Sequence, residues 1–460
     1  MKLAFRQPGL VTLIVLGAVP AASARAQDST ASATSICGTD STPAPFGFAD
    51  FSWLNGNSRQ HVSVLDTKAF TGEFRADVSY IADFNKPRDH TLSGTSESGR
   101  TGEFQVQQLG VGGDFHCGHA RGRLMTQFGM YSTMTPRNDA SPARGQWDLA
   151  NAYRYLSEAY GGYHWNKLNG INLDAGIFMS YVGLFSYYNY DNWAYQPSYV
   201  SSNTPWFFNG VRLQIFVNDR LKIEPWLING WQSYGMFNGT PGAGLQVLWR
   251  PTGAVSIHSN SYYGHDWLGI PNRMRVHTDN SVQVKYYDRP TKQFDRAAFS
   301  LTVDAGCESG GGVQCASPGT GGPAQNFVGV MFHNRAWFAD NSIGVTLGGG
   351  AMNNPGRYLV LMPPINGATA FSGTPYFTEN PGDKFRAWDA SATLDFMPDE
   401  FTTFRIELDH RAANVPYFSG SGGVTPPAGN TGPPGSLVQG WSPDLRKTES
   451  RVNLALLVKM

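Results

Sequence analysis

Residues 72–84 read GEFRADVSYIADF, and their alternation decides the fold. Phe74, Ala76, Val78, Tyr80, Ala82 and Phe84 fall on one face, with Arg75, Asp77, Ser79 and Asp83 on the other. Successive side chains of a strand point to opposite sides, so this segment is a strand with one apolar and one polar face. Segments of about ten residues with the same period recur to the C-terminus. Ile171, Leu173, Ala175, Ile177, Met179 and Tyr181 repeat it, as do Val452, Leu454, Leu456, Val458 and Met460. In a soluble sandwich the polar face meets bulk water. In a membrane barrel it meets the lumen and the apolar face meets lipid.

The N-terminus bears on that choice. Lys2 and Arg6 precede an apolar run from Gly9 to Ala22, and Ala24-Arg25-Ala26 offers small residues for cleavage. Residues 1–26 therefore read as a secretory signal peptide, too short and wrongly flanked to span a membrane as a helix. The composition includes 53 Gly, 28 Phe, 20 Tyr and 12 Trp, with 15% charged residues, which suits a wall that partly faces lipid. A mean hydropathy of −0.30 is compatible, since lumen and loops are polar. Removing Lys2, Arg6 and Arg25 from 35 basic residues leaves 32 against 35 acidic ones. Nothing there suggests a nucleic-acid partner, which needs a concentrated basic surface.

Connector lengths choose between the two architectures. Sixteen candidate strands lie between residues 72 and 460, and eighteen is the alternative count. Short connectors such as Asn166 to Gly170, Asn218 to Arg220 and Ala339 to Asn341 alternate with long ones. The long ones, rich in Gly, Pro, Ser and Asn, include Phe185 to Trp206, Ala305 to Gln325, Asn353 to Asp383 and Ala413 to Leu445. Short turns on one side and long loops on the other define outer-membrane barrels. The expected fold is all-β: a transmembrane antiparallel up-and-down β-barrel over residues 71–460, with periplasmic termini. Sixteen strands would leave an aqueous passage. Gln107 and Gln108 break the alternation of the second strand and predict a bulge. Residues 27–70 form either a periplasmic extension or, through the dense run FGFADFSWLNGNSRQ, a plug folded back into the lumen.

The strings FSWLNGNSRQ, ADVSYIADFNKP, DAGIFMSYVGLFSYYNYDNWAYQPSYVSSNTPWFFNGVRL and KIEPWLINGWQ together resemble the beta-barrel porin-2 (OmpL-like) family. The resemblance covers roughly residues 46–460 and is strongest from Phe74 to Gln232. It implies a Gram-negative outer-membrane barrel that forms pores, and it brings no catalytic residues.

Candidate functional residues are charges on the polar strand faces. Arg121, Arg123, Arg154, Glu158, Arg212, Lys222, Glu224, Arg405, Glu407, Asp409, Arg411 and Arg451 are expected to line the lumen. Arg75, Asp77, Lys285, Asp389 and Asp395 extend the set. A basic side chain facing lipid at mid-depth costs about 2–4 kcal/mol, so this many must face water or each other. They read either as cross-strand ion pairs that stiffen the wall or as a field acting on permeating ions. Ten basic against seven acidic residues in that set give a slight expected anion preference. The expected activity is passive diffusion of small hydrophilic solutes, without cofactor and without catalysis. A non-conducting surface or adhesion barrel, which predicts a lumen blocked by residues 46–70, is the alternative, and a homo-oligomer stays open. His116-Cys117-Gly118-His119 has the residue types of a zinc site, but its place in a tight turn reads better as a stapled hairpin. Four cysteines permit three pairings. Cys307 and Cys315 share one glycine-rich loop, which favours a local bridge and leaves Cys37 with Cys117.

Overall fold

The computed structural model describes residues 37, 44–95, 98–289, 293–320, 324–356, 358, 384–433, 436 and 438–460. The expected signal peptide lies outside the described residues. Sixteen antiparallel strands close into one barrel. They are β1 (Phe70–Asp83), β2 (Phe104–Cys117), β3 (Ala120–Thr126), β4 (Leu156–Trp165), β5 (Ile171–Met179), β6 (Phe207–Asn218), β7 (Leu221–Ile228) and β8 (Gly242–Thr252). The circuit continues through β9 (Val255–Gly264), β10 (Met274–Asp288), β11 (Phe294–Ser309), β12 (Asn326–Phe338), β13 (Ile343–Asn354), β14 (Phe385–Phe396) and β15 (Thr402–Ala413). A two-residue ribbon, β16 (Phe418–Ser419) with β17 (Leu445–Arg446), stands apart in the last long loop. The final strand β18 (Thr448–Lys459) pairs with β15 on one side and β1 on the other, from Arg75 opposite Lys459 to Asp83 opposite Arg451. That last seam removes both sheet edges.

Each strand pairs with its sequence neighbour, the up-and-down arrangement that two-residue periodicity and short turns predict. The connectors after β2, β4, β6, β8, β10, β12 and β14 are short, and those on the other side are long. The bulge expected in β2 is present. Asp77 faces Gln108 and Val78 faces Val106, so Gln107 is the extra residue. Both amides point inward and are buried.

Several boundaries differ from expectation: the third strand stops at Thr126, the fifth stops at Met179 so that Tyr181 joins an interior cluster, and two others move candidate residues. The fourth strand starts at Leu156, because Asp148 caps a short helix α1 (Leu149–Tyr153) by accepting from the Asn151 N–H at 3.0 Å. Arg154 ends that helix and is therefore off the strand wall, with its guanidinium over the Tyr155 ring. The eleventh strand runs on to Ser309, so Cys307 lies on β11 opposite Val276 and Asn326. Its partner Cys315 reaches it from the following loop.

Candidate functional site

The polar strand faces turn inward, and two segments of chain fill the space between them. The first is the connector from β5 to β6, residues 180–206. Expected as an external loop, it folds into the barrel instead. Tyr187, Tyr188, Trp193, Tyr195 and Tyr199 are all 5% exposed or less. The reason is chemical complementarity. Its tyrosines, asparagines and backbone amides offer donors to carboxylates on the wall, of which Glu407 also accepts from Thr393 and Asn453 on the adjacent strands.

Those contacts are specific. The Tyr195 hydroxyl and the Asn189 amide donate to the two oxygens of Asp77 at 2.9 and 2.8 Å. The backbone N–H groups of Tyr195 and Gln196 donate to Glu407 at 2.5 and 2.7 Å. Ser198 Oγ and the Tyr199 N–H donate to Asp389 at 2.8 and 3.0 Å, at the start of helix α2 (Tyr199–Ser202). Asp191 of the loop accepts from Arg75 at 3.0 Å. Opposite Asp389 the glycine run 348–350 makes room, since a Cβ on Gly350 would sit 2.3 Å from Ser198 Oγ.

The second insertion is the N-terminal segment from residue 44 to residue 61. Trp53 is fully buried and Leu54 nearly so, in a cluster with Trp193, Phe216, Leu248 and Trp337. Phe46 and Phe51 sandwich the Arg250 guanidinium at 4.6 and 4.4 Å from their centroids. Arg59 donates to the Asp399 and Thr402 carbonyls at the β14–β15 turn, both at 2.6 Å. The two insertions also meet each other. Trp193 donates its backbone N–H to Asn55 Oδ1 at 2.8 Å and its indole N–H to the Trp53 carbonyl at 3.2 Å. Gly56 donates to the Asp191 carbonyl at 3.0 Å. Its φ of +78° and a Cβ position 2.4 Å from Leu184 O leave room there only for glycine.

Around this closure most of the expected charged residues are ion-paired, while Asp77, Asp389 and Glu407 are held by the neutral donors just described. Arg405 and Arg335 clasp Asp395 at 2.6 and 2.7 Å. Arg123 reaches Glu158, Glu73 and Asp114 at 2.7–2.9 Å. Arg212 and Arg121 share Asp174 at 3.0 and 3.3 Å, and Lys222 meets Glu224 at 2.6 Å. Arg411 and Arg451 both face Glu449, and Arg451 also approaches Asp409 at 3.5 Å. Lys285 pairs with Asp288 near the short-turn rim. Arg154 is the one expected member that the helix removes. Sequence reading missed Arg335, Glu73, Asp174, Asp279, Asp304, Glu308 and Glu449. All of these follow from extending the same alternation along the strands.

The Cys37–Cys117 bridge anchors the chain ahead of the inserted segment to the β2–β3 turn. It also occupies the only thiolate of the His116–His119 cluster. Among the described residues no group of three or more His, Cys, Asp or Glu is placed to hold a metal.

A closed sixteen-stranded antiparallel barrel with an apolar belt, a charged interior and loop lengths segregated by side is an outer-membrane barrel of porin type. Residues 73–432 match the family described as "Putative beta-barrel porin-2, OmpL-like", and the chain belongs to that family. No curated protein sequence matches it. Similar solved structures include the outer membrane channel DcaP of Acinetobacter baumannii, at 11% identity and TM-score 0.46, over 87% of this chain and 100% of that one. An anion-selective porin from Comamonas acidovorans is similar at 10% identity and TM-score 0.46, over 85% and 99%. OmpT of Vibrio cholerae in its trimer form is similar at 9% and 0.46, over 85% and 100%. Scores of this size leave the assignment to the barrel itself and to the family match.

Proposed function

We propose that this chain is an outer-membrane pore for passive diffusion of small hydrophilic solutes, closed at rest by its own N-terminal segment. The observation that carries the reading is the seating of Trp53 and Asn55 between the barrel wall and the inward loop. A lumen lined by arginines and carboxylates becomes a solvated passage once the inserted chain leaves, unlike the apolar core of a structural barrel. Of the two segments that fill it, the N-terminal one belongs to no strand and can leave without unfolding one, whereas the β5–β6 connector stays in place. β1 begins and β18 ends at the short-turn end, which the reading places in the periplasm. The reading needs no cofactor and no catalytic group.

Conductance in planar bilayers tests it, for the full chain and for a deletion of residues 44–60. Rare openings in the first and sustained conductance in the second are expected. Silence in both would leave the non-conducting surface barrel as the better reading. The anion preference is proposed as small. Nearly every wall arginine is paired, and the inward set includes more carboxylates than the strand count alone suggested. Reversal potentials in a salt gradient measure it, and cation preference removes it.

A further inference from the structure

The outer wall carries one polar island inside its apolar belt. On β9 the outward residues run Val255, Ile257, Ser259, Ser261, Tyr263, and on β10 Met274, Val276, Thr278, Asn280, Val282, Val284. Ser259 faces Asn280 and Ser261 faces Thr278 across the pair. Ser259, Ser261 and Asn280 are exposed on this outer face, with apolar residues above and below them on both strands. To either side the register places Leu245 and Val247 of β8, and Val303 and Ala305 of β11. Two other outward polar groups, Asn334 beside Tyr286 and His410 beside Trp388, sit nearer strand ends.

Hydrocarbon offers no hydrogen-bond partner, so polar groups at mid-wall are left unsatisfied against lipid. The island satisfies itself only in part. Ser259 Oγ donates to Asn280 Oδ1 at 2.7 Å, Asn280 Nδ2 donates to Thr278 Oγ1 at 2.9 Å, and Thr278 Oγ1 donates to the Asn260 carbonyl at 2.9 Å. That chain leaves the second Asn280 N–H as a donor and the Ser259 oxygen as an acceptor. The Ser261 hydroxyl can serve as both. We infer that β9 and β10 form an interface with a second copy of this chain, related by a two-fold axis through the island. A two-fold contact sets a patch against itself, which requires donors and acceptors in the same patch. Hydroxyl and amide groups meet that requirement, whereas a patch of one charge would not. The inference is independent of whether the lumen conducts.

Bismaleimide cross-linking of the full-length Ser261→Cys variant in outer membranes tests the contact. A covalent dimer is expected, with none from Leu454→Cys, an outward position seven strands around the wall. Heat-modifiable gel mobility establishes that each variant is folded. A second variant, Ser261→Leu with Asn280→Leu, suits lipid and is expected to sediment in detergent as a folded monomer. Several outcomes overturn the inference. They are a monomeric wild type, an oligomer in which residue 261 does not cross-link to itself, a cross-link to a different protein, or a dimer that survives the double leucine substitution.

Discussion

The indole N–H of Trp53 donates to the carbonyl of Gly253 at 3.1 Å, joining residues 200 positions apart. Gly253 lies in the short turn between β8 and β9, so this bond pins the inserted segment to the rim of the barrel. Replacing a buried tryptophan by alanine costs about 3–5 kcal/mol. Here that loss falls on the seating of the segment, because no strand contains Trp53. Trp53→Ala is expected to raise the open probability in planar bilayers by more than about tenfold, with the barrel still folded. An unchanged open probability would mean the segment does not close the pore.

The bridge from Cys37 to Cys117 spans 80 residues of sequence. On the chain-entropy model a loop of that size stabilises the folded state by about 4 kcal/mol. The double variant Cys37→Ser, Cys117→Ser is expected to convert to its unfolded gel form at a lower temperature. It should also open more often, since the inserted segment then keeps only its tether to β1. Non-reducing peptide mapping checks the pairing. A link from Cys37 or Cys117 to Cys307 or Cys315 would join opposite ends of the barrel and refute the topology.

Asp395 is fully buried between Arg335 and Arg405. Removing one partner from a buried ion pair costs about 3–5 kcal/mol, because the remaining charge stays desolvated. Asp395→Ala strands two guanidinium groups, and it should lower the heat-modification temperature more than any single arginine substitution on this wall. Asp395→Asn keeps an acceptor and should fall between the two.

A clasp on the long-loop side gives a pH dependence. Burial by itself would raise the Asp89 carboxyl. The Thr425 hydroxyl and the backbone N–H groups of Val424, Thr91 and Thr425 outweigh it and hold the group below its ordinary 3.8. A depressed carboxyl stabilises the fold above its unfolded value and loses that contribution as pH falls through its folded value. The loop from Asn414 to Lys447 should therefore become protease-sensitive on acidification below 3.8. Asp89→Asn should show the same sensitivity at neutral pH. If the two proteins cleave alike at every pH, the clasp does not hold the loop.

The inward loop marks where sequence reading stops. Its aromatic run was plain in the sequence, yet nothing local distinguishes a tyrosine that meets solvent from one that meets a wall carboxylate. Tyr195 reaches Glu407 across 212 positions, and Asn189 reaches Asp77 across 112. Arg154 and Cys307 were misplaced for a nearer cause. A helix cap at Asp148 and a strand continuing past Ala305 move boundaries by a few residues, which alternation alone does not resolve.

What the sequence determined by itself was the barrel: about sixteen strands, their antiparallel order and a bulge in β2 at Gln107 and Gln108. Period-two alternation is a local property, and a side chain's face follows from its parity along the strand. What only the tertiary structure decided was the state of the interior. The packing of residues 44–61 and of residues 180–206 against the wall and against each other depends on contacts that form after closure. Trp53, Trp193 and Trp337 become neighbours only when the sheet has curled on itself. Until then their sequence separation conceals the contact.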